Sequence, residues 1–344
     1  MHTAVASTKR VVAVVVSYNP NVNGLVELLE ALLSQVARTV VVDNASLFDV
    51  SSVLVRCISR NVELLQMPEN FGIAAAQNAG IERALKLGAD FVLLLDQDSI
   101  PSASMVSELI SAITCAQSKP DALPVAAVGP AIVDRRTHGT YYFRISRMGI
   151  PDKWTPPLNR KLFPQLIEVT VLVASGTLIP IDVIQRIGTM RSNYFINHVD
   201  TEWCFRAKAE GYRLLGVPNA SLEHQFGDAV RQFWFFGTRQ VIYHTPLRNY
   251  YDVRNTLFML RDTPMSWIWK THFMWRLVRL GYFLIFGRER WSRFRLMTLG
   301  MMHAFKGLGG RLETETNRCR VVPVSSIEPG FRTQDQEKTG GRKW

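Results

Sequence analysis

Hydrophobic positions in the first ~125 residues recur with two alternating periods. Val11–Val16 is an unbroken β-branched run that stops at Ser17-Tyr18-Asn19-Pro20. A strand with no polar alternation is buried on both faces, which predicts a parallel sheet. Gly24–Val36 then carries Leu25, Leu28, Leu29, Leu32 and Leu33 at helical spacing. Thr39–Val42, Val62–Gln66 and Phe91–Leu95 predict three further strands, the first ending at Asp43-Asn44 and the last at Asp96-Gln97-Asp98. The alanine-rich Ile73–Leu87 predicts a helix closed by Gly88. Strand and helix alternate, so this half reads as a doubly wound α/β unit. Such sheets bind ligands at the carboxyl ends of their strands.

The pattern is mixed beyond residue 125. Val125–Val128 and Val169–Val173 predict strands, and Asp200–Gly211 predicts a helix. Residues 134–165 hold Pro151, Pro156, Pro157 and Pro164 and read as a long irregular loop over a site. Residues 230–310 are rich in aromatics, Met and Arg at helical spacing, and the chain turns polar after Leu312. The last ~20 residues are expected to be a disordered tail. There is no P-loop and no GxGxxG behind the first strand, so a nucleotide is not expected to sit as in kinases or dehydrogenases.

With 344 residues, 47% of them hydrophobic, the chain can build one large domain and an appendage. Its net charge is +11, and nine basic residues lie between Trp267 and Arg311 with only Glu289 to oppose them. A segment this basic fits an anionic partner. Nucleic acid is disfavoured: no zinc finger, helix-turn-helix or aromatic RNA-binding motif accompanies the charge. Within Trp267–Phe286, His272, Arg276 and Arg279 share one helical face while Trp, Phe, Leu and Met fill most of the rest. Two readings stand: an interfacial helix on anionic lipid, or a helix packed on the catalytic domain with snorkelling arginines. The charge-free run Leu280–Gly287 is too short to span a bilayer. Cys57, Cys115, Cys204 and Cys319 form no CxxC pair and fit a reducing cytosol. The apolar run after Lys9 and Arg10 is too short for a signal peptide, so a cytoplasmic location is expected.

Asp96 and Asp98 are the most informative pair. Two carboxylates two residues apart, at the end of a buried strand, can both meet one divalent cation, or divide between the cation and a sugar hydroxyl. Oxygen ligands suit Mg²⁺ or Mn²⁺, which bridge to substrate phosphates.

In these segments the chain resembles family 2 glycosyltransferases of the GT-A fold. The resemblance rests on Ser-Tyr-Asn after the first strand, Val42-Asp43-Asn44-Ala45-Ser46, Glu69-Asn70-Phe71-Gly72 with Asn78-Ala79-Gly80, and Asp96-Gln97-Asp98. Ala174-Ser175-Gly176-Thr177 and His198-Val199-Asp200-Thr201-Glu202-Trp203-Cys204 extend it. Within the family the chain is most similar to bacterial rhamnosyltransferases of O-antigen and other surface polysaccharides. The resemblance covers roughly residues 10–260. It implies a GT-A (Rossmann-like), mostly parallel sheet flanked by helices, with a C-terminal helical basic and aromatic extension. The expected division is 1–262 catalytic, 263–312 helical, basic and membrane-associated, and 313–344 a polar disordered tail.

The resemblance also implies roles. Asp43 would accept from a pyrimidine imide, with Ser17 and Tyr18 flanking the base or ribose. Asn70 and Gly72 would bring backbone close to the donor, and Asn78 and Arg254 would complete the donor site, Arg254 by gripping a diphosphate. Asp98 would be the main metal ligand, with Asp96 assisting. His224 is either a third ligand or a hydrogen-bonded structural histidine. Asp200 is the candidate general base of an inverting transfer. Glu202 is the alternative, because at i and i+2 on a helix only one of the two can face the substrate. The implied partners are a nucleotide-diphosphate sugar donor (dTDP-L-rhamnose by resemblance), a polyprenyl-diphosphate-linked or glycan acceptor, and the anionic inner face of the plasma membrane, with Mg²⁺ or Mn²⁺ as cofactor. The alternative is a non-catalytic sugar-nucleotide-binding or membrane-docking module of the same fold.

Overall fold

A computed structural model describes residues 9–54, 61–118, 123–135, 139–155, 157, 164–224, 229–234, 238–243, 245–282, 284, 289–315 and 318–322. The chain opens with β1 (Val11–Ser17), α1 (Val22–Leu32), β2 (Arg38–Asp43), α2 (Ser51–Leu54), β3 (Val62–Gln66), α3 (Ile73–Lys86) and β4 (Phe91–Asp96). Next come β5 (Ile100–Pro101), α4 (Met105–Gln117), β6 (Val125–Asp134), β7 (Phe143–Arg147), β8 (Ile150–Trp154), β9 (Ile167–Val169) and β10 (Leu178–Pro180). Then follow α5 (Ile181–Ile187), α6 (Val199–Ala209), β11 (Arg213–His224), β12 (Ala229–Trp234) and β13 (Thr238–Tyr243). The last elements are α7 (Pro246–Asp262), α8 (Trp267–Leu280), α9 (Arg290–Phe305), β14 (Arg311–Glu315) and β15 (Arg318–Val322).

Among the described residues the main sheet runs β3-β2-β1-β4-β10-β6-β11-β5, with β9 also on β11. β1, β2, β3 and β4 are mutually parallel, as are β6 and β11, while β10 inserts antiparallel between β4 and β6. Register aligns the strand ends: Ser17 pairs with Asp43, and Val16 with Asp96. The residue pattern thus delivers Ser17, Asp43 and Asp96 to one edge.

Period two in the strands splits the core between the sheet's faces. Val12, Val14 and Val16 pack with α3, while Val11, Ala13 and Val15 pack with α1 and α4. Gly80 allows α3 to lie against β1, because a Cβ there would overlap the Val14 side chain.

Three segments before residue 246 differ from the expectation. The stretch expected to be irregular contains the β7–β8 hairpin, whose two-residue turn Met148-Gly149 has φ +51° and +83°. Both left-handed positions match the twist of a tight hairpin. The strand expected over Val169–Val173 ends at Val169, because Val171, Leu172 and Val173 line a cavity instead. Part of the region read as helical forms the β12–β13 hairpin.

The C-terminal helices are integrated with the sheet domain. α8 buries Trp269 and Phe273 against Phe205 of α6. α9 buries Arg293, which bonds the Asn249 side chain of α7. The polar tail expected from residue 313 begins instead with the β14–β15 hairpin, and residues 323–344 lie outside the described residues. Among the described residues no helix is long and apolar enough to cross a membrane.

Candidate active site

The acidic turn after β4 is fixed at both ends. The Gln97 side chain accepts from the Tyr18 N–H at 2.7 Å and donates to the Tyr18 carbonyl at 3.2 Å, which clips the turn to the end of β1. Ser99, fully buried, meets Ser175 Oγ at 2.6 Å and His224 Nδ1 at 2.9 Å. Ser175 Oγ in turn accepts the Asp96 N–H at 3.1 Å. His224, at the end of β11, lies between the two acids, with Nδ1 3.3 Å from Asp98 Oδ1 and Nε2 3.8 Å from Asp96 Oδ2.

These charges shape one another. Desolvation pushes Asp96 up to about 6; His224 opposes this, and Asp98 and Asp200 reinforce it. Burial works against protonation of His224, but the hydrogen bond to Asp98 and the charges of Asp96 and Asp98 outweigh it and raise its pKa. Among the described residues no three His, Cys, Asp or Glu side chains form a ready-made metal cage. The donor set nonetheless fits a hard cation. Mg²⁺ and Mn²⁺ need only one or two carboxylates when substrate phosphates and water supply the rest, and Asp96 and Asp98 offer these at a partly exposed edge.

Asp200 reaches the same region from α6. Ser175, which holds the Asp96 backbone, lines a cavity of about 280 Å³ together with Asp200. Desolvation raises the pKa of Asp200, while bonds from Thr201 and the Ala174 backbone and the charge of Arg144 pull it back. The other walls include Tyr142, Phe143 and Arg144 of the β7 region and Trp269, Phe273 and Arg276 of α8. Because Ser175 both bonds the Asp96 backbone and lines the cavity, the acidic turn and the cavity adjoin.

Glu202 is placed differently. Its side chain is fully buried, pairs with Arg191 at 2.8 Å and Arg206 at 3.0 Å, and is not among the cavity residues. It braces α6 against the preceding loop.

That loop carries strain. Phe195, Asn197 and His198 all have φ between +61° and +65°, a region costly for residues with a Cβ. His198 immediately precedes α6, so the loop sets where Asp200 points. Three residues expected at the donor make their contacts here. Gly72 (φ +86°) opens α3 with the Ile73 N–H on the Phe195 carbonyl at 2.8 Å, and a Cβ at Gly72 would overlap that carbonyl. Asn78 bonds Met190 O at 2.7 Å, Met190 N at 2.9 Å and Ser192 Oγ at 3.0 Å. Arg254 is 0% exposed and donates to Gly310 O at 2.7 Å, Tyr194 O at 3.0 Å and Asn193 O at 3.2 Å. A guanidinium enclosed this way cannot reach a diphosphate in the cleft. Its neighbour Asn255 donates to the carbonyls of Tyr194, Ile196 and Asn197 at 2.8, 2.6 and 3.1 Å.

The remaining expected donor residues gather at the other end of the edge. Ser17 is fully buried, and among the described residues its Oγ has no hydrogen-bond partner. Tyr18 is exposed beside it. Asp43 accepts from Ser46 Oγ at 2.5 Å; burial raises its pKa and the Ser46 bonds lower it. Asn44 donates to Asn70 Oδ1 at 3.1 Å and accepts the Phe71 N–H at 3.0 Å.

Sequence reasoning did not single out Gln97, Ser99, Arg144, Arg276 or Asn255 for the roles they hold. Gln97 and Ser99 interleave with the acids and were legible as neighbours. Arg144 shows as the polar position between inward Phe143 and Ile145, but β7 is too short for that signal to stand out.

Comparison with known proteins shows the family and the fold. The family model described as glycosyl transferase family 2 matches residues 12–187. A Shigella flexneri protein described as dTDP-rhamnosyl transferase RfbF is 32% identical over 250 residues, covering 72% of this chain and 79% of that protein. Among solved structures, S. aureus TarS 1-349 in complex with UDP-GlcNAc superposes with a TM-score of 0.53 at 12% identity, covering 94% of this chain and 98% of the other. GalNAc-T7 with UDP, GalNAc and Mn2+ superposes with a TM-score of 0.52 at 13% identity, covering 81% of this chain and 58% of that one. At these identities the two structures speak for the fold.

Proposed function

This chain belongs to glycosyl transferase family 2, and on that footing we propose that its cleft transfers L-rhamnose from dTDP-L-rhamnose, with inversion, to a lipid-linked or polysaccharide acceptor of a cell-surface glycan. The observation that carries the reading is the junction at Ser175. This residue holds the backbone of Asp96, the acid at the donor edge, and lines the same cavity as Asp200. The rhamnosyl assignment follows the Shigella flexneri relative.

Ser17, Tyr18 and Asp43 would receive the base and ribose, with Asn44 and Asn70 shaping that end. Asp96 and Asp98, with His224 beside them, would hold Mg²⁺ or Mn²⁺. When bound, the ion would offset the charge of the departing diphosphate. The acceptor hydroxyl occupies the cavity with its proton directed to Asp200. As its oxygen bonds to the anomeric carbon, the bond to the diphosphate oxygen breaks on the opposite face, and Asp200 takes the proton. The raised pKa of Asp200 makes it a better proton acceptor than an exposed aspartate. Glu202 serves as a positioning residue through Arg191 and Arg206.

The exposed apolar surface suits peripheral attachment to the cytoplasmic face of a membrane. Trp267 and Trp275 of α8 and Trp291 and Phe305 of α9 are 62–84% exposed, and Met148 at the hairpin tip is 99% exposed. Lys270, Arg279, Arg290 and Arg295 belong to the same two helices. Aromatic residues beside cations fit an anionic lipid surface.

The test is release of dTDP from dTDP-L-rhamnose with Mn²⁺, with and without chelator. Chelator-sensitive release supports the reading. Binding without turnover under all conditions would make the chain a sugar-nucleotide-binding module instead.

A further inference from the structure

The cavity beside Asp200 is positively charged in a way that deprotonating a hydroxyl does not require. Arg144 enters it from β7 and Arg276 from α8. Among the described residues no carboxylate lies within ion-pair distance of Arg144; its guanidinium stacks loosely over Tyr142, 6.0 Å from the ring centroid. Among the same residues Arg276 has one weak partner, Asp252 Oδ1 at 3.9 Å, an oxygen that also accepts from Asn197 Nδ2 at 3.1 Å. The two arginines sense each other. Arg276 is pulled below its ordinary pKa by burial first and by Arg144 among the charges, against Asp252 and Asp200. His272 is lowered by burial and then by Arg144, Arg276 and Arg279 together. Two cations from separate elements face Asp200 as the one acid lining the cavity among the described residues. One acid does not balance two cations, and the Arg276 side chain is 40% exposed, so an anionic ligand can reach the pair and match it.

The walls between them are aromatic: Tyr142, Trp269 and Phe273. Flat apolar faces flanked by charge suit a sugar ring whose neighbour is anionic. Arg254 is enclosed in the core and is not available for this task.

We infer that Arg144 and Arg276 form a phosphate-binding acceptor subsite, so that the acceptor carries a phosphate or diphosphate close to the hydroxyl that attacks. This rests on the glycosyltransferase reading and narrows it: a neutral polysaccharide end would leave the pair unmatched. The phosphate can belong to a lipid carrier or to the glycan itself. Guanidinium groups recognise both alike through paired N–H donors.

The experiment uses the full chain with dTDP and Mn²⁺ saturating the donor edge. Farnesyl diphosphate, glucose 1-phosphate and farnesol are titrated by calorimetry into wild type, Arg144→Gln, Arg276→Gln, Arg276→Lys and the double Gln variant. Wild type is expected to bind the phosphorylated probes, and each Gln variant to weaken them by about tenfold or more, the typical worth of a hydrogen bond to a charged group. The conservative Arg276→Lys variant is expected to bind them more tightly than Arg276→Gln does. Farnesol is expected to show no dependence on the arginines. Tighter binding of farnesyl diphosphate than of glucose 1-phosphate would assign the phosphate to a lipid carrier; the reverse would assign it to the glycan. Arg144 has no ion pair to lose among the described residues, so Arg144→Gln should keep the wild-type melting temperature and dTDP affinity. Equal affinity of wild type and double variant for both phosphorylated probes would overturn the inference. Failure of wild type to bind dTDP would count against the glycosyltransferase reading instead, and the same titrations without dTDP would still test the arginine pair.

Discussion

Replacing Arg254 by Gln should damage stability and turnover while sparing donor affinity. The guanidinium is fully enclosed and serves three backbone carbonyls, two of them in the strained loop before Asp200. Hydrogen bonds to a charged group contribute roughly 1.5–3 kcal/mol each. Summing three would overstate the loss, because Gln retains one bond and removes the cost of burying a cation. A net destabilisation of about 3–5 kcal/mol remains, in line with breaking a buried charged network. In a chain of this size that should lower the melting temperature by roughly 10 °C. Because the freed carbonyls of Asn193 and Tyr194 belong to the loop that aims Asp200, kcat should fall by about tenfold, the effect of a small displacement of a catalytic group. The donor KM should stay near wild type. Calorimetric melting and initial rates at varied dTDP-L-rhamnose read both effects. An unchanged melting temperature with a donor KM raised tenfold would refute the reasoning and return Arg254 to the diphosphate.

Asp200→Asn should lower kcat by about 10²–10⁴, the usual worth of a positioned base, and leave dTDP binding by thermal shift unchanged; near-normal turnover would remove Asp200 from the mechanism. The base acts when charged and burial raises its pKa, so at saturating donor and Mn²⁺ the rate should fall with decreasing pH at values above the ordinary aspartate 3.8; a pH profile flat down to that value would contradict this. Gly72→Ala forces a Cβ at φ +86° onto the Phe195 carbonyl and should cost about 1–3 kcal/mol in urea unfolding; a wild-type midpoint would show that the loop yields freely. Met148→Ser combined with Trp267→Ser should reduce sedimentation with anionic vesicles without changing turnover of a soluble acceptor, and undiminished sedimentation would exclude this face.

The sheet was legible because uninterrupted runs such as Val11–Val16 and Phe91–Leu95 have few alternatives to a doubly buried strand, and parallel pairing then aligns their ends. Asp96 and Asp98 stood out for the same reason: acids directly after such a run are held at an edge. The roles of Gly72, Asn78 and Arg254 were not legible. A Gly or Asn at a given spacing looks the same whether it approaches a ligand or a loop, and that loop lies more than a hundred residues away in sequence for Gly72 and Asn78. The β7–β8 hairpin was hidden because Pro151 suggested a break, yet a two-stranded hairpin tolerates proline at its edge. Arg144 and Arg276 line one cavity because β7 and α8, far apart in sequence, both border it, which local periodicity cannot express.

Inverting transfer in this cleft is a single displacement at the anomeric carbon with Asp200 as proton acceptor. Proton NMR of the transferred sugar, with wild type and Asp200→Asn run side by side, tests it most directly. The expected product has an anomeric configuration opposite to that of the donor, formed by wild type and not measurably by the variant. A product that retains the donor configuration, or equal formation by both proteins, would contradict it.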